Sequence, residues 1–317
     1  MPDEGFLNDV QGAFFRNGLW HLYFLYNSDA RYDASGNQVG GNGSEWYHVT
    51  TADWVQWNYE GVAIHKYKTE WGDVASGSIY VDSDNSFGKG EDAIIVFATA
   101  YCGDKGQNVM GYYSTDNGYN FLPLKTDPII KHVGDAKTDF RDPYLFKVNN
   151  TWILYMAEGD KFGIYTASSP LGEYRYVDGY YAPNVLLECP ALFELDVNQD
   201  RNNKKWVLFY GGNGGKDSTT GTYASVGYLT DKYVFKPEHE NIRVDYGPDY
   251  YRAKMFLNET KDSSYVLGNA WMGNWSYATR VPNDGRFGSI SLTRKISLFK
   301  VDYRMKLATQ LVVNKKR

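Results

Sequence analysis

The feature that most constrains the fold of this chain is an apolar segment, rich in β-branched and aromatic residues, that recurs along it. Short runs of this composition are typical of buried β-strands. Successive copies begin 54 to 74 residues apart, and repetition at such a period indicates an architecture built from like units. The five copies are residues 19–24, 93–97, 152–155, 206–210 and 265–268.

Each copy is flanked by segments of two other kinds that also read as strands. The preceding segments are residues 8–14, 75–80, 141–146, 188–193 and 251–256. The following segments are residues 46–51, 110–115, 162–167 and 225–230. A polar break and an aromatic residue come next, which predicts a hairpin turn into a fourth strand.

A unit of four strands repeated five times predicts an all-β fold, a five-bladed β-propeller of four-stranded blades. An unrelated β-sandwich is the alternative. We assign residues 1–300 to the propeller and residues 301–317 to a C-terminal tail. Aromatic residues make up 17% of the chain, and 32 Gly and 10 Pro supply turns, as an all-β fold requires. Most of the rings are expected in the core.

Composition also limits the partners of the chain. The net charge is −5 and the basic residues are scattered, so no nucleic-acid surface is predicted. No apolar run reaches about 18 residues, so no membrane-spanning segment is predicted. The two cysteines, Cys102 and Cys189, have neither metal-site nor disulfide spacing. Residues 196–202 resemble the start of a calcium loop but lack its glycine and glutamate, so we predict a polar hairpin there. We expect a monomer without metal or cofactor.

Carboxylates stand at the start of three of the five preceding segments. They are Asp9, Asp142 and Glu188, and Ser76 holds the corresponding place in the second unit. In a propeller, the first strand of each blade lines the central channel, and ligands bind at the channel mouth. A single carboxylate at a strand start is usually only solvated. Three carboxylates at corresponding places predict a shared site, although such a cluster could also bind a cation.

Three carboxylates at one channel mouth suit the hydrolysis of a glycosidic bond. One carboxyl group protonates the leaving oxygen, and another attacks the anomeric carbon or activates water. Glu188 follows two leucines, and apolar surroundings raise a carboxyl pKa, which suits a general acid. Asp9 follows Asn8, whose amide could stabilise a carboxylate nucleophile. Arg141 beside Asp142 should keep that carboxyl charged, so that it can bind sugar hydroxyls.

Five motifs of this sequence resemble those of glycoside hydrolase family 32, the invertases, inulinases, levanases and related fructan-acting enzymes. Three of them contain the carboxylates and two do not. The motifs are Gly-Phe-Leu-Asn-Asp-Val-Gln-Gly at 5–12, Ser-Gly-Ser at 76–78, Phe-Arg-Asp-Pro at 140–143, Glu-Cys-Pro at 188–190 and Ala-Trp-Met-Gly-Asn-Trp at 270–275. The resemblance extends over nearly the whole chain.

The resemblance implies a retaining β-fructosidase. Asp9 would be the nucleophile, Glu188 the general acid/base, and Asp142 the transition-state stabiliser that binds fructose hydroxyls. The carboxyl groups of Asp9 and Glu188 would then lie about 5–5.5 Å apart, as retention requires. The resemblance also implies that the reacting fructose is surrounded by Asn8, Trp46, Ser76, Arg141 and Trp271.

Departures from the usual family motifs indicate the substrate. Phe6 and Val10 replace a Trp and a Pro, and Leu25 stands where a Gln usually contacts substrate. Leu25 together with the 42–48 block, Asn-Gly-Ser-Glu-Trp-Tyr-His, resembles the levan-acting branch, so we expect β-2,6-linked levan. The alternatives are a levan fructotransferase that makes a difructose dianhydride, an inulinase or invertase, an arabinan-acting hydrolase, and a carbohydrate-binding propeller without activity.

The family resemblance also implies a location and a neighbouring domain. We expect an extracellular or cell-surface protein, although the given sequence contains no signal peptide. Family members usually carry a β-sandwich after the propeller. Residues 301–317 would then be the start of such a domain.

Overall fold

The structure, a computed structural model, describes residues 2–132, 134–214 and 220–312. One 3₁₀ helix, Gly103–Lys105, is the helical element recorded in these ranges, and the rest is strand and connection. The prediction of an all-β fold is confirmed. Within the same ranges, no helix has the length and apolar character needed to cross a membrane.

The first twelve strands form three antiparallel sheets in which chain neighbours pair in order. The first contains β1 (Gly5–Arg16), β2 (Leu19–Asn27), β3 (Glu45–Thr51) and β4 (Asn58–Ile64). The second contains β5 (Gly77–Asp82), β6 (Ala93–Tyr101), β7 (Gln107–Ser114) and β8 (Leu122–Pro123). The third contains β9 (Arg141–Val148), β10 (Thr151–Ala157), β11 (Lys161–Ala167) and β12 (Arg175–Tyr181).

The remaining strands form two further antiparallel groups. The fourth group contains β13 (Leu186–Val197), β14 (Asp200–Asn213), β15 (Gly221–Leu229), β16 (Phe235–Pro237) and β17 (Ile242–Arg243). After it come β18 (Tyr251–Leu257), β19 (Val266–Trp271), β20 (Arg286–Phe287), β21 (Arg294–Val301) and β22 (Arg304–Leu311). The fifth group comprises β18, β19, β21 and β22. One parallel pair, Val197 with Leu298, joins the two groups into a nine-stranded sheet.

The repeat read from the sequence corresponds to these strands. The five apolar segments lie on β2, β6, β10, β14 and β19, the second strand of each group. The segments that precede them lie on the first strands. The sequence did not reveal β21, the third strand of the fifth group, because an irregular connection over residues 272–293 separates it from β19. Within that connection, β20 pairs in parallel with the start of β1.

Among the described residues the apolar core consists of six clusters, and five of them each lie between two consecutive groups of strands. Such sheet-on-sheet packing explains why the second strands are buried on both faces, as in β6. The fifth cluster joins the last group to the first, because Phe256 and Leu267 pack with Trp20 and Trp54. The rings of Trp54 and Phe256 are stacked, with centroids 5.7 Å apart.

The first strands of all five groups surround one cavity of about 740 Å³. Its lining includes Gln11 on β1, Ser78 on β5, Leu145 on β9, Phe193 on β13 and Met255 on β18. The carboxylates predicted from the sequence lie near the starts of three of these strands. The cavity lining on these strands begins two to four residues after each carboxylate and includes none of them, so the predicted site lies beyond one end of the shared cavity.

The segment that resembled a calcium loop is a tight hairpin, as predicted. β13 ends at Val197 and β14 begins at Asp200. The two residues between them, Asn198 and Gln199, have φ values of 56° and 62°. Positive φ at both central positions is the pattern of a type I′ turn, which matches the twist of antiparallel strands.

Candidate active site

Three first strands begin with the same irregularity, which sets the direction of the side chains at the site. On β9, β13 and β18, two residues lie opposite one residue of the neighbouring strand. The extra residue has a positive φ: 57° at Asp142, 49° at Cys189 and 49° at Arg252. Glu188 therefore corresponds to Arg141, one residue before the bulge, and not to Asp142 as the sequence comparison assumed. Bulges of this kind redirect side chains and are frequent beside active sites.

Asp142 is buried and held on several sides. Its backbone N–H donates to Thr99 Oγ1 at 2.9 Å. Its carboxylate Oδ2 accepts from the backbone N–H of Cys189 at 3.0 Å and from the Cys189 thiol at 3.5 Å. Burial first, and then the charge of Asp142, raise the pKa of the Cys189 thiol well above its ordinary value. The thiol thus stays protonated and remains a donor to Asp142.

Glu188 is buried among hydrogen-bond donors. Its Oε1 accepts from Arg141 Nη2 at 2.9 Å and from Arg252 Nη2. Its Oε2 accepts from Arg252 Nε at 2.7 Å and from the hydroxyl of Tyr251. The sequence predicts apolar surroundings for the Glu188 carboxyl, and the structure differs. Leu187 instead belongs to the core between the third and fourth groups, because adjacent strand residues point to opposite faces.

Asp9 on β1 is completely buried. Its Oδ2 accepts from Arg252 Nη1 at 2.5 Å, and its Oδ1 has no hydrogen-bond partner among the described residues. The pKa of Asp9 lies above its ordinary value, because burial raises it more than the charge of Arg252 lowers it; the charge of Asp142 raises it further, and that of Lys254 lowers it. The donor to this carboxylate is thus a residue of the fifth group, and not Asn8 as expected from the sequence.

Arg141 bonds to more than one carboxylate. It forms an ion pair with Asp139 and another with Glu188, whereas its Nε lies 4.0 Å from Asp142 Oδ2. Burial alone would lower the pKa of Arg141, but the charges of Asp142 and Asp139 raise it. Arg141 therefore stays charged and reaches two of the three predicted catalytic carboxylates.

The smaller predicted residues differ in their contacts. Ser76 is buried, and its backbone oxygen accepts from the backbone N–H and the hydroxyl of Thr99 at 2.9 and 2.8 Å. Because Thr99 also binds Asp142, Ser76 lies in the layer that supports the site. Asn8 is half-buried and adjacent to Asp9.

The two predicted tryptophans are buried behind the carboxylates. Trp46 lies in the core between the first two groups, and its indole N–H donates to the backbone oxygen of Ala75 at 2.9 Å. Leu25, the residue that indicated levan, pairs with Trp46 across β2 and β3 and is buried too. Trp271 packs against Phe6 and Trp275, with ring centroids 6.1 and 4.7 Å away. The contact of Trp46 and Trp271 with a substrate stays a prediction.

Comparison with known proteins gives the family of the chain. The family described as "Glycosyl hydrolases family 32 N-terminal domain" matches residues 1–310. The chain belongs to glycoside hydrolase family 32. The "Levanbiose-producing levanase" of Bacillus subtilis is 33% identical over 320 residues, 98% of this chain and 59% of that protein. "Invertase 2" of Saccharomyces cerevisiae is 29% identical over 326 residues, again 98% and 59%.

A solved family 32 structure has the same fold. The fructofuranosidase from Schwanniomyces occidentalis complexed with fructose superposes with a TM-score of 0.86 at 29% sequence identity. The superposition covers 99% of this chain and 62% of that one. Such neighbours are β-propellers. The chain therefore spans about three fifths of the length of these relatives.

Three residues of this family 32 site were not among the predicted ones, and all are on β18: Tyr251, Arg252 and Lys254. Tyr251 and Arg252 bind Glu188 directly. Lys254 is buried, and its ammonium has no hydrogen-bond partner in the part of the chain that the structure describes. Residues 251–256 had been recognised as the fifth first strand. A search for any charged residue at the starts of the first strands, and not only for carboxylates, would have found Arg252.

Side chains that could hold a metal do not cluster in this family 32 chain as far as it is described. Residues 2–132, 134–214 and 220–312 contain no group of three or more His, Cys, Asp or Glu arranged for a metal ion. The carboxylates of Asp9 and Glu188 are instead bound by arginine.

Proposed function

We propose that this family 32 domain hydrolyses the β-2,6-fructosidic bonds of levan with retention of anomeric configuration. The observation that carries the proposal is that one guanidinium, that of Arg252, binds both Asp9 and Glu188. Two carboxyl groups within the span of one guanidinium are close together. A short separation supports double displacement, because inverting enzymes need room for a water between the two groups.

In the proposed first step, Asp9 attacks the anomeric carbon of the fructosyl unit. A bond forms between an Asp9 carboxylate oxygen and that carbon while the bond to the leaving oxygen breaks, and Glu188 gives its proton to the leaving oxygen. In the second step, Glu188 takes a proton from water, the water oxygen bonds to the anomeric carbon, and Asp9 is released.

Asp142 is proposed to bind two hydroxyls of the reacting fructose. The contacts with Thr99 and Cys189 fix the backbone and one carboxylate oxygen, which leaves Oδ1 to accept from a sugar. Hydrogen bonds from a hydroxyl to a charged carboxylate are about twice as strong as neutral ones. A fixed, charged acceptor of this kind can stabilise a particular ring conformation.

The choice of levan rests on the similarity to two levanases and on two sequence features. Levanbiose-producing levanases of Bacillus subtilis and Geobacillus stearothermophilus are 33% and 34% identical to this chain. Leu25 and the 42–48 block favour the same branch. Invertases and exo-inulinases also match, at 29 to 31% identity, so sucrose and inulin belong in the substrate test.

We also propose that the five strand groups are five four-stranded blades of one propeller. Five core clusters between consecutive groups and five first strands around one cavity support this arrangement. The boundary predicted at residue 300 falls within the hairpin of β21 and β22. We therefore propose that the last blade continues to Leu311. Residues 313–317 of the predicted tail lie outside the described residues.

Several exposed aromatic side chains lie in connections or at strand ends, at the end of the sheets where the proposed site is. Aromatic faces bind the C–H faces of sugar rings, so these residues could hold further units of a fructan chain. They are Tyr67, Tyr101, Tyr181, Tyr246, Trp275 and Tyr277.

A polymer too large to cross a membrane is cut outside the cell, so we propose an extracellular or cell-surface location, in line with relatives named extracellular exo-inulinases.

The test is turnover on levan, inulin and sucrose by the wild type, Glu188→Gln and a matched control, Glu194→Gln. Glu194 lies on the same strand with an exposed side chain. Loss of general-acid catalysis should lower turnover of Glu188→Gln by about 10²–10⁴-fold, while the control stays near wild type. Equal activity of Glu188→Gln and wild type contradicts the mechanism. Preferred cleavage of inulin or sucrose contradicts the levan assignment alone.

The products separate the other candidate functions in the same assay. Hydrolysis releases reducing sugar, intramolecular transfer releases a non-reducing dianhydride, and a carbohydrate-binding propeller binds levan without releasing either. When methanol competes with water, retention gives the methyl β-fructoside. The methyl α-fructoside would contradict double displacement.

A further inference from the structure

Arg252 occupies a position in the fifth group that corresponds to Asp142 in the third. Both are the extra residue of the bulge, both have positive φ, and each follows the residue that pairs with the end of the neighbouring strand. A non-glycine residue in this conformation is strained and persists where the surrounding structure over-determines it. The two side chains therefore point into the same space from different sides.

The contacts of Arg252 are with the two groups that would carry the chemistry. Nη1 lies 2.5 Å from Asp9 Oδ2, Nε lies 2.7 Å from Glu188 Oε2, and Nη2 binds Glu188 Oε1. The Arg252 side chain is 13% exposed, so water screens these ion pairs only weakly. A planar, always charged fork that binds carboxylates on two sides fixes both distance and orientation.

We propose that Arg252 is a positioning residue of the reaction, which keeps Asp9 charged and fixes it relative to Glu188. The proposal rests on the proposed function, because it gives Asp9 the part of nucleophile. Only the ionised carboxylate can attack the anomeric carbon, and burial alone would favour its neutral form. Arg252 is the group that opposes burial most directly.

The other charged and titratable groups around Asp9 cannot replace Arg252. On β18, Tyr251 is a buried phenol whose pKa is raised first by burial, and Lys254 makes no hydrogen bond to a described residue. On β9, the carboxylate of Asp142 opposes the ionisation of Asp9, while Arg141 is bound to other carboxylates. On β13, Glu188 is an acidic group that supplies no positive charge, and the Cys189 thiol is protonated. Ser76, the residue before the start of β5, carries no charge.

The experiment compares wild type, Arg252→Met and Arg252→Lys by the pH dependence of kcat/KM on the best substrate of the panel. Loss of an adjacent arginine typically raises a carboxyl pKa by about 1–3 units. The acidic limb of Arg252→Met should therefore move to higher pH by at least one unit. Arg252→Lys, which keeps the charge, should recover at least half of that movement.

An alternative part for Arg252 is to occupy the sugar site and compete with substrate. In that case Arg252→Met lowers KM and leaves the acidic limb unchanged, a result that overturns the proposal. A merely structural part would lower the yield or Tm of the variant without moving the limb, which also overturns it.

A thermal measurement tests the pairing of Arg252 with Asp9 without any substrate. Arg252→Met is made in the wild type and in Asp9→Asn, and the loss of Tm is compared at pH 7. If the guanidinium stabilises a charged Asp9, the Tm loss should be smaller in Asp9→Asn than in the wild type, with the contacts between Arg252 and Glu188 common to both. Equal losses overturn the inference. Absence of sugar release by wild type contradicts the proposed function and leaves this measurement decisive for the pairing.

Discussion

A pair of buried histidines, His21 and His48, should make the stability of this domain depend on pH near neutrality. His21 Nδ1 and His48 Nε2 lie 3.0 Å apart across β2 and β3. His21 stacks on Phe14 with centroids 4.8 Å apart, and His48 stacks on Tyr23 at 4.6 Å. Burial lowers the pKa of His21 to about 4 and that of His48 to about 3. The fold therefore holds both rings neutral.

The sign and size of the effect follow from these values. In the unfolded chain a histidine has a pKa of about 6.5, so it takes up a proton below that pH while folded His48 stays neutral until about pH 3. Its contribution to stability is complete above pH 6.5 and declines as the pH falls towards 3. At pH 5 the difference is about 1.5 pH units, and at 1.36 kcal/mol per unit the loss is about 2 kcal/mol for His48 alone.

The measurement is the free energy of unfolding by urea between pH 7.5 and pH 5 for wild type, His48→Phe and His65→Phe. Phenylalanine keeps the stacking with Tyr23 and cannot be protonated. At pH 7.5, His48→Phe should be less stable than wild type by about 1 kcal/mol for the lost hydrogen bond. By pH 5 this gap should have closed or reversed, because only wild type loses the contribution of His48.

The control variant, His65→Phe, replaces an exposed histidine of the same chain. The side chain of His65 is 54% exposed and lies 3.6 Å from the carboxylate of Glu45, a pair that water screens, so its removal should change the pH dependence of unfolding far less than removal of His48. Carboxylates that titrate in the same range are common to all three proteins and cancel in the differences. Parallel curves for wild type and His48→Phe would refute the reasoning.

Three further substitutions test the support of the site and one turn. Lys254→Met removes a buried ammonium that has no hydrogen-bond partner among the described residues but whose charge favours the ionised form of Asp9, so it should move the acidic limb of kcat/KM to higher pH; an unmoved limb would contradict this reasoning. Thr99→Val removes the acceptor of the Asp142 N–H and should cost about 1–3 kcal/mol in urea unfolding, whereas Thr99→Ser should match wild type. Gln199→Gly relieves a φ of 62° and should add about 1–2 kcal/mol to the free energy of unfolding, read as a higher Tm; an unchanged or lower Tm would contradict it.

The strands could be predicted because their composition repeats, and the bulges could not because they depend on pairing. Residues 152–155 read as a buried strand from the apolar run alone, and β10 contains them. That Asp142 is an extra residue in β9 follows only from its register with β10. Proline follows two of the three bulges, at Pro143 and Pro190, but Arg252 is followed by Ala253, so composition gave no signal there.

The candidate site was predictable where its residues form local motifs. Asp9, Asp142 and Glu188 each stand in a short motif, and the structure brings them together. The partners of Glu188 come from β9 and β18, 47 and 63 to 64 residues away along the chain, and no local pattern reports such contacts. Sequence likewise cannot tell a tryptophan that faces a sugar from one that packs in the core, which is why the part of Trp271 stays a prediction.

Burial explains why the site needs as many cations as carboxylates. Three carboxylates in one water-poor space repel one another, and each pays a desolvation cost that favours its neutral form. Arg141, Arg252 and Lys254 supply three positive charges close to them. Two of the three come from β18, the first strand that least resembles the others in sequence. In the proposed mechanism the nucleophile must be charged and the proton donor must reach the leaving oxygen. The charged residues of the fifth group therefore control the protonation and position of carboxylates that belong to other groups.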